Sequence, residues 1–233
     1  WSEAHALYQE AGHEPGVAFA LIGLIGCEVQ RGNSEGTLPL IQEGVALARR
    51  AEDPWLLAWH QGALGRHHLQ HGESDEAMWV IEEGLALAHA VGDRWLVGVL
   101  LSSLSLVVSF QGQHTRSREL LLECLQLQEA LGFNRGTAEA LVSLGAVLQL
   151  LGEYSAADAC FHKMLAMARS IGNEEFVARA YLNLAENALL AGKLTQARPL
   201  MKEFFERAPL MGHKEVLAWG LLILALFARK DGA

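Results

Sequence analysis

Basic residues are the scarcer charge in this chain: 18 Lys and Arg against 27 Asp and Glu, a net charge of -9 with histidine neutral. Such a chain lacks the basic face that sequence-independent binding to nucleic acid or anionic membrane requires, so no direct contact with either is expected. Charge of either sign is thin, at 19% of 233 residues, which leaves a surface of uncharged polar and small side chains. Cysteine is limited to Cys27, Cys124 and Cys160, with no CxxC spacing. That odd, sparse set provides no disulfide framework or metal pattern and fits a reducing, cytoplasmic setting with thiols used as small hydrophobes. The opening Trp1-Ser2-Glu3-Ala4-His5 has no basic stretch followed by an apolar run and does not read as a signal peptide. The most apolar runs, 96–110 and 216–228, fall short of the roughly 20 residues a membrane span needs and read as buried helices.

Catalytic motifs are also missing. The glycines are spread rather than clustered into a phosphate loop, and neither HExxH nor GxSxG occurs. No pair of carboxylates on one helix face suggests acid/base work. The expectation is a protein that is not an enzyme and takes no cofactor.

What the chain has is a period. Gly32, Gly72, Gly112, Gly152, Gly192 and Gly232 are spaced by forty residues, and so are Gly12, Gly92, Gly132, Gly172 and Gly212, with Glu52 in the one gap. Leu24, Leu64, Leu104, Leu144, Leu184 and Leu224 make a third track in the same register. Between glycines, apolar residues recur at three-and-four spacing, as in Ala138, Leu141, Val142, Gly145 and Leu148. Each stretch ends at a residue suited to the left-handed conformation that closes a helix. Asp53, Asp93 and Asn173 stand as N-caps before the first helix of their units, and Pro54 takes the first helical position. The second helices are predicted to start after Asp75, Thr115, Ser155 and Thr195.

Each unit is therefore helix A, a tight glycine turn, helix B and a short loop. Small residues mark the close approach of the pair: Gly65, Ser105, Gly145, Ala185 and Ala225 on A, and Thr37, Ala77, Ser117, Ala157 and Ala197 on B. Ile41, Ile81, Leu121, Phe161 and Met201 fill the space between.

The set Leu144-Gly145, Gly152, Ala157 and Phe161 resembles the tetratricopeptide repeat, whose usual unit is about 34 residues. Here the B helix and the loop after it are expected to be longer. The resemblance implies an all-α, right-handed superhelical solenoid of antiparallel helix pairs. About eleven helices are expected in a single domain over 1–233: a partial hairpin at 1–12, units near 13–52, 53–92, 93–132, 133–172 and 173–212, and a final helix at 213–233. The phrases Leu85-Ala86-Leu87-Ala88 with Val91-Gly92-Asp93-Arg94-Trp95, and Ala166-Met167-Ala168-Arg169 with Ile171-Gly172-Asn173, are similar to the forty-residue arrays of bacterial signal-transducing ATPases. That group includes transcription regulators resembling the maltose activator and its LuxR-type relatives. The pattern opens inside one hairpin and stops at the turn of another, which reads as the interior of a longer array whose exposed ends can self-associate. Ile25 departs from the small-residue rule, and Phe204, Phe205, Pro199 and Pro209 predict different packing in the last complete unit.

The resemblance implies that the A helices line a concave face, where a ligand would sit. By alignment that face offers Phe19, Trp59, Arg66, Ser102, Glu139, Val142, Gln149, Arg179, Asn183 and Glu186, with Gly62, Leu182 and Leu189 at further positions. The partner expected there is a protein or peptide with apolar anchors, or a small-molecule effector held by a few polar contacts. His60, His67 and His71, with His68, form the one histidine cluster. His67 and His71 at a spacing of four could hold a metal such as zinc, but no third carboxylate or thiolate aligns with them. The alternative is a polar helix surface. Trp55 and Trp95 are expected to pack onto the preceding loop, Trp79 to be wedged between units, and Cys124 and Cys160 to be buried packing groups.

Overall fold

The computed structural model describes residues 1–207 and 214–231, with backbone only for Ser34, 214–216 and 226–231. Pro209, Gly212 and Gly232 lie outside the described residues. The rest is all helix: α1 (Ser2–Glu10), α2 (Glu14–Gln30), α3 (Ser34–Arg50), α4 (Pro54–Gln70), α5 (Ser74–Val91), α6 (Arg94–Phe110), α7 (His114–Ala130), α8 (Asn134–Leu150), α9 (Tyr154–Ser170), α10 (Glu174–Leu190), α11 (Leu194–Arg207) and α12 (Lys214–Asp231). The described helices number twelve, not eleven, because one leading helix, five pairs and a final helix add up to that.

The turns explain the spacing. Nine of the track glycines have left-handed φ, from Gly12 to Gly192, and Glu52 takes the same conformation at φ +51°. At Gly72, φ is +80°. Its N–H donates to the Leu69 carbonyl at 3.1 Å, and the Glu73 N–H donates to the His68 carbonyl at 3.0 Å. This double closure ties off the last carbonyls of α4 within three residues. The B-to-A turns close in the same way, as Asp53 N–H to the Ala48 carbonyl at 3.1 Å shows. The loop after helix B is therefore as short as the turn before it, contrary to the expectation. The two helices of a pair are of equal length, 17 residues in α8 and in α9, so the forty-residue spacing is filled by helix rather than by loop.

That closure also moves the B-helix starts. α5 begins at Ser74 and α9 at Tyr154, so Asp75, Thr115, Ser155 and Thr195 stand inside the first turn and are not caps. The capping positions hold Glu73 and Glu153, whose side chains make no cap bond, whereas Asn33 accepts from the Gly36 N–H at 3.1 Å. The A-helix caps are as expected. Asp53, Asp93 and Asn173 each accept the N–H three residues on, at 3.0 Å.

Contacts gather the chain into two compact units, Trp1–Leu127 and Gln128–Ala233. In the first, Val17, Ala18, Leu21, Leu47, Ala48 and Leu56 form one buried cluster, and Ile25, Ile41 and Ala63 another, which accommodates the departure at Ile25. Small and large residues interlock within each pair. A Cβ added at Gly65 would stand 2.3 Å from Ile81 Cγ1, and one at Gly145 would stand 2.3 Å from Phe161 Cε1. Between pairs the fit recurs with variable partners. Gly44 makes room for the His60 ring, 2.2 Å from its would-be Cβ, and Gly220 makes room for the fully buried Phe204 in the same way. α11 runs through Pro199, as α3 runs through Pro39.

Candidate functional site

Which helices face inward follows from the packing within each unit. In the first, α2 touches α4 and α4 touches α6, whereas α3 and α5 make no comparable contact. In the second, α8 touches α10 and α10 touches α12, and α9 and α11 do not match them. Helices on the inside of a bend are the ones brought close, so the A helices form the inner layer of each unit.

On the first unit, Phe19 is exposed on α2, with Trp1 at 6.2 Å on one side and Trp55 stacked at 6.3 Å on the other. Trp55 also packs on the α2–α3 core cluster and donates its indole N–H to Asp93 Oδ2 at 2.6 Å. It thus reaches forward to the next pair as well as back. Trp59 is half-buried, packs against Ile25, Ile41 and Ala63, and meets the His60 ring edge-on at 5.3 Å. Arg66 is half-buried, and its Nη1 donates to Ser103 Oγ at 3.3 Å. Ser102, the serine expected there, is half-buried beside it. Gly62 is buried.

On the second unit, Glu139 is exposed and pairs with Arg135 Nε at 3.0 Å, one turn away on α8. Val142 and Asn183 are half-buried. Gln149 donates to Asn187 Oδ1 at 3.4 Å, and Asn187 anchors to the Tyr154 carbonyl at 2.9 Å. Arg179 lies with its guanidinium 5.8 Å from the Phe176 ring centre, on a cavity of about 380 Å³ also lined by Phe133, Asn134 and Ile171. Glu186 is half-buried. Burial raises its carboxyl pKa, and the Trp219 indole N–H, at 3.4 Å from Oε2, offsets part of that. Leu182 and Leu189, at further inner-face positions, are buried and present little to a ligand.

The histidines separate. His60 is fully buried, bonds the Ala18 carbonyl through Nε2 at 3.0 Å, and has its pKa lowered to about 4 by desolvation. His67 and His71 do come together, with ring centres 4.2 Å apart. The His71 Nδ1–H donates to the His67 carbonyl at 2.9 Å, while His67 Nδ1 is buried without a partner. His68 bonds Glu73 instead, at 2.5 Å. Seven residues of helix put His60 about 10 Å from His67 along the axis. Among the described residues no three His, Cys, Asp or Glu are placed to hold a metal.

Other expectations fall out differently. Trp79 is not wedged between units but exposed at 64%. Cys124 is buried and donates to the Gly98 carbonyl at 3.2 Å; Cys160 is half-buried, and desolvation raises its thiol pKa, which keeps it protonated. α12 presents Trp219, Leu221, Leu222 and Leu224 to solvent. No helix among the described residues is long and apolar enough to cross a membrane.

Ser103 was not singled out by the sequence, and Trp55, expected to pack onto the preceding loop, packs against Phe19 and reaches Asp93. Alignment at forty pairs equivalent positions, such as 19 with 59, whereas contacts between neighbouring A helices link offset ones, such as Phe19 with Trp55 and Arg66 with Ser103.

A tetratricopeptide-repeat family model matches residues 96–170 and 136–209, so these helix pairs are tetratricopeptide repeats. No curated protein matches the chain. Among solved structures, it is similar to BtubC from P. vanneervenii, at 19% identity and a TM-score of 0.74, covering 91% of this chain and 90% of that one. It is similar to a signal-transduction ATPase with numerous domains from Pyrococcus horikoshii, which carries a tetratricopeptide repeat sensor. There the identity is 15%, the TM-score 0.73, and coverage 87% of this chain and 32% of that one. A Rap protein complexed with Competence and Sporulation Factor matches at 14% identity and a TM-score of 0.68, over 91% and 64%. At these identities the likeness is one of fold.

Proposed function

We propose that this tetratricopeptide-repeat chain is a non-catalytic, cytoplasmic binding segment that senses a protein, a peptide or a small effector for a larger bacterial signalling ATPase or transcription regulator. The observation that carries this reading is the inner face. The inner face of each unit is mostly apolar, with exposed Phe19 on the first and half-buried Val142 on the second, and each holds isolated polar groups that have no ion-pair partner among the described residues, Arg66 on the first and Arg179 and Glu186 on the second. Apolar area supplies affinity, and a few fixed polar groups set orientation. The forty-residue phrases and the likeness to an ATPase with a repeat sensor support the parent. Binding would favour one curvature of the array and so bias the parent's equilibrium between states, by as much as the ligand's affinity differs between them.

Panning a displayed peptide library against the immobilised chain tests the binding role. Captured peptides should lose at least tenfold in affinity with F19A where they bind the first unit, or with R179A where they bind the second, and little with W79A on the outer side. Capture that is indifferent to the inner-face changes sinks the reading.

A second reading, a stand-alone interaction adaptor, is favoured by the near full-length match to BtubC. The flanking gene sequence separates the two. A nucleotide-binding domain ahead of Trp1 supports the sensor. A polar capping helix soon after Ala233, with no ATPase or DNA-binding module, supports the adaptor.

A further inference from the structure

Arg66 is a half-buried cation on the inner face of the first unit. Its guanidinium has five N–H donors. Within the described residues, one bond to Ser103 Oγ, at 3.3 Å, accounts for Nη1. The Ser103 hydroxyl gives its own proton to the Val99 carbonyl at 3.1 Å, so the oxygen facing Arg66 is an acceptor. No carboxylate among the described residues lies within ion-pair distance, and burial alone acts on the Arg66 pKa, lowering it. A guanidinium drawn out of water without a counter-ion is unfavourable, and an arriving anion relieves that cost where two protein partners would already have cancelled it.

The surroundings narrow the ligand. One turn before Arg66, buried Gly62 makes room for the Leu100 side chain of α6. A Cβ there would stand 3.8 Å from Arg66 Nη1 and 2.5 Å from Leu100 Cδ2. Half-buried Trp59, two turns earlier on α4, and exposed Leu106, three residues after Ser103 on α6, are further apolar side chains on these two helices. Of the aligned inner-face positions on α2, α4 and α6, Arg66 alone is charged. One fixed positive charge on an otherwise neutral face balances a monoanion. A phosphate dianion would leave a net charge in the same half-buried place. The planar fork of a guanidinium also matches the two oxygens of a carboxylate.

We propose that Arg66 and Ser103 form a carboxylate-binding subsite on the inner face of the first unit, for a ligand that carries one carboxylate on an apolar stem. The subsite rests on the reading of the inner face as a binding surface and names the chemistry it selects.

The test uses the 15N-labelled chain and follows the Arg66 Nε–H resonance and the melting temperature during titration with hexanoate, its neutral isostere hexanamide, and inorganic phosphate. Hexanoate should shift the resonance saturably and raise the melting temperature, and hexanamide should do neither. R66Q should weaken hexanoate at least tenfold, and R66K by less, because the charge stays while the fork is lost. Equal binding of hexanamide, unchanged hexanoate binding by R66Q, or tighter binding of phosphate than of hexanoate would each overturn the proposal. R66Q should melt no lower than the parent, since it removes an uncompensated charge. Should it fail to fold, the comparison of hexanoate with hexanamide on the unaltered chain decides alone. Acetyl-Ala-Leu as free acid against its amide tells a peptide terminus from a free aliphatic acid. Panning that yields no peptides while hexanoate still binds at Arg66 removes the peptide reading only. Peptides captured without regard to R66Q remove this subsite only.

Discussion

Asp93 serves two helix pairs at once: Oδ1 accepts the Leu96 N–H at 3.0 Å and caps α6, while Oδ2 accepts the Trp55 indole N–H at 2.6 Å from the pair before. A cap that is ordinarily local thus also ties successive pairs together. D93A should cost about 2 kcal/mol or more, the loss of a cap plus an orphaned indole donor. W55F should cost about 1 kcal/mol for the hydrogen bond alone. The two losses should fall short of additivity by about 1 kcal/mol in a double-mutant cycle read by urea unfolding. Additive losses would show that the bond contributes nothing.

Acid should weaken the first unit through His60. Its pKa in the fold is about 4, against 6.5 for the free group, so between those values the unfolded chain binds the proton and the folded chain does not. Stability from this group is therefore full above pH 6.5 and falls as pH drops toward 4, by on the order of 3 kcal/mol. His67, lowered first by burial and then by His71 and His68, pulls in the same direction. H60L, which puts at position 60 the residue found at Leu100, should flatten most of the slope. Urea midpoints measured at pH 7 and pH 4.5 check this.

G44A should be harmful even though alanine is the better helix former. The added Cβ would stand 2.2 Å from His60 Cε1, and the ring is fully buried, with little room to yield. Overpacking of this kind costs about 1–3 kcal/mol. The reverse change at the other partner tests the cause: G44A with H60A should recover part of the loss seen in G44A alone, as read by thermal melting.

E52G should stabilise the chain. Among the described residues Glu52 is the one non-glycine with positive φ, +51°, and it is exposed. The left-handed region costs an L-residue about 1–2 kcal/mol, partly offset by the greater freedom of glycine when unfolded. A net gain of about 0.5–1 kcal/mol is expected, seen as a higher melting temperature. No gain would mean that the Glu52 side chain compensates for the strain.

The sequence made the period legible because each turn needs a left-handed residue and glycine is nearly its only occupant. It made the A-helix caps legible because Asp53, Asp93 and Asn173 are strong capping side chains. It misplaced the B-helix starts because Asp75 and Ser155 are good caps standing two residues too late, while the turn closure spends Glu73 and Glu153 on the cap position whatever their side chains prefer. The A helices were legible as a set of aligned positions. What each residue does there was not, since Glu139 is neutralised by Arg135 and Gln149 is hydrogen-bonded to Asn187, whereas Arg66 has no ion-pair partner among the described residues. Those differences depend on offsets between helices that a one-dimensional alignment does not contain.

Helices that start every twenty residues, from Glu14 of α2 to Leu194 of α11, give the backbone a repeat of twenty residues beneath the forty of the side chains. Viewed along the main chain alone, an A helix and a B helix are the same object. Direction inward or outward is therefore written only in side-chain size, at places such as Gly65 against Ile81. Removing forty residues would shorten the inner face and leave it in phase. Removing twenty would leave every turn intact and turn the remaining helices inside out, placing Arg66 and its neighbours where Trp79 now stands.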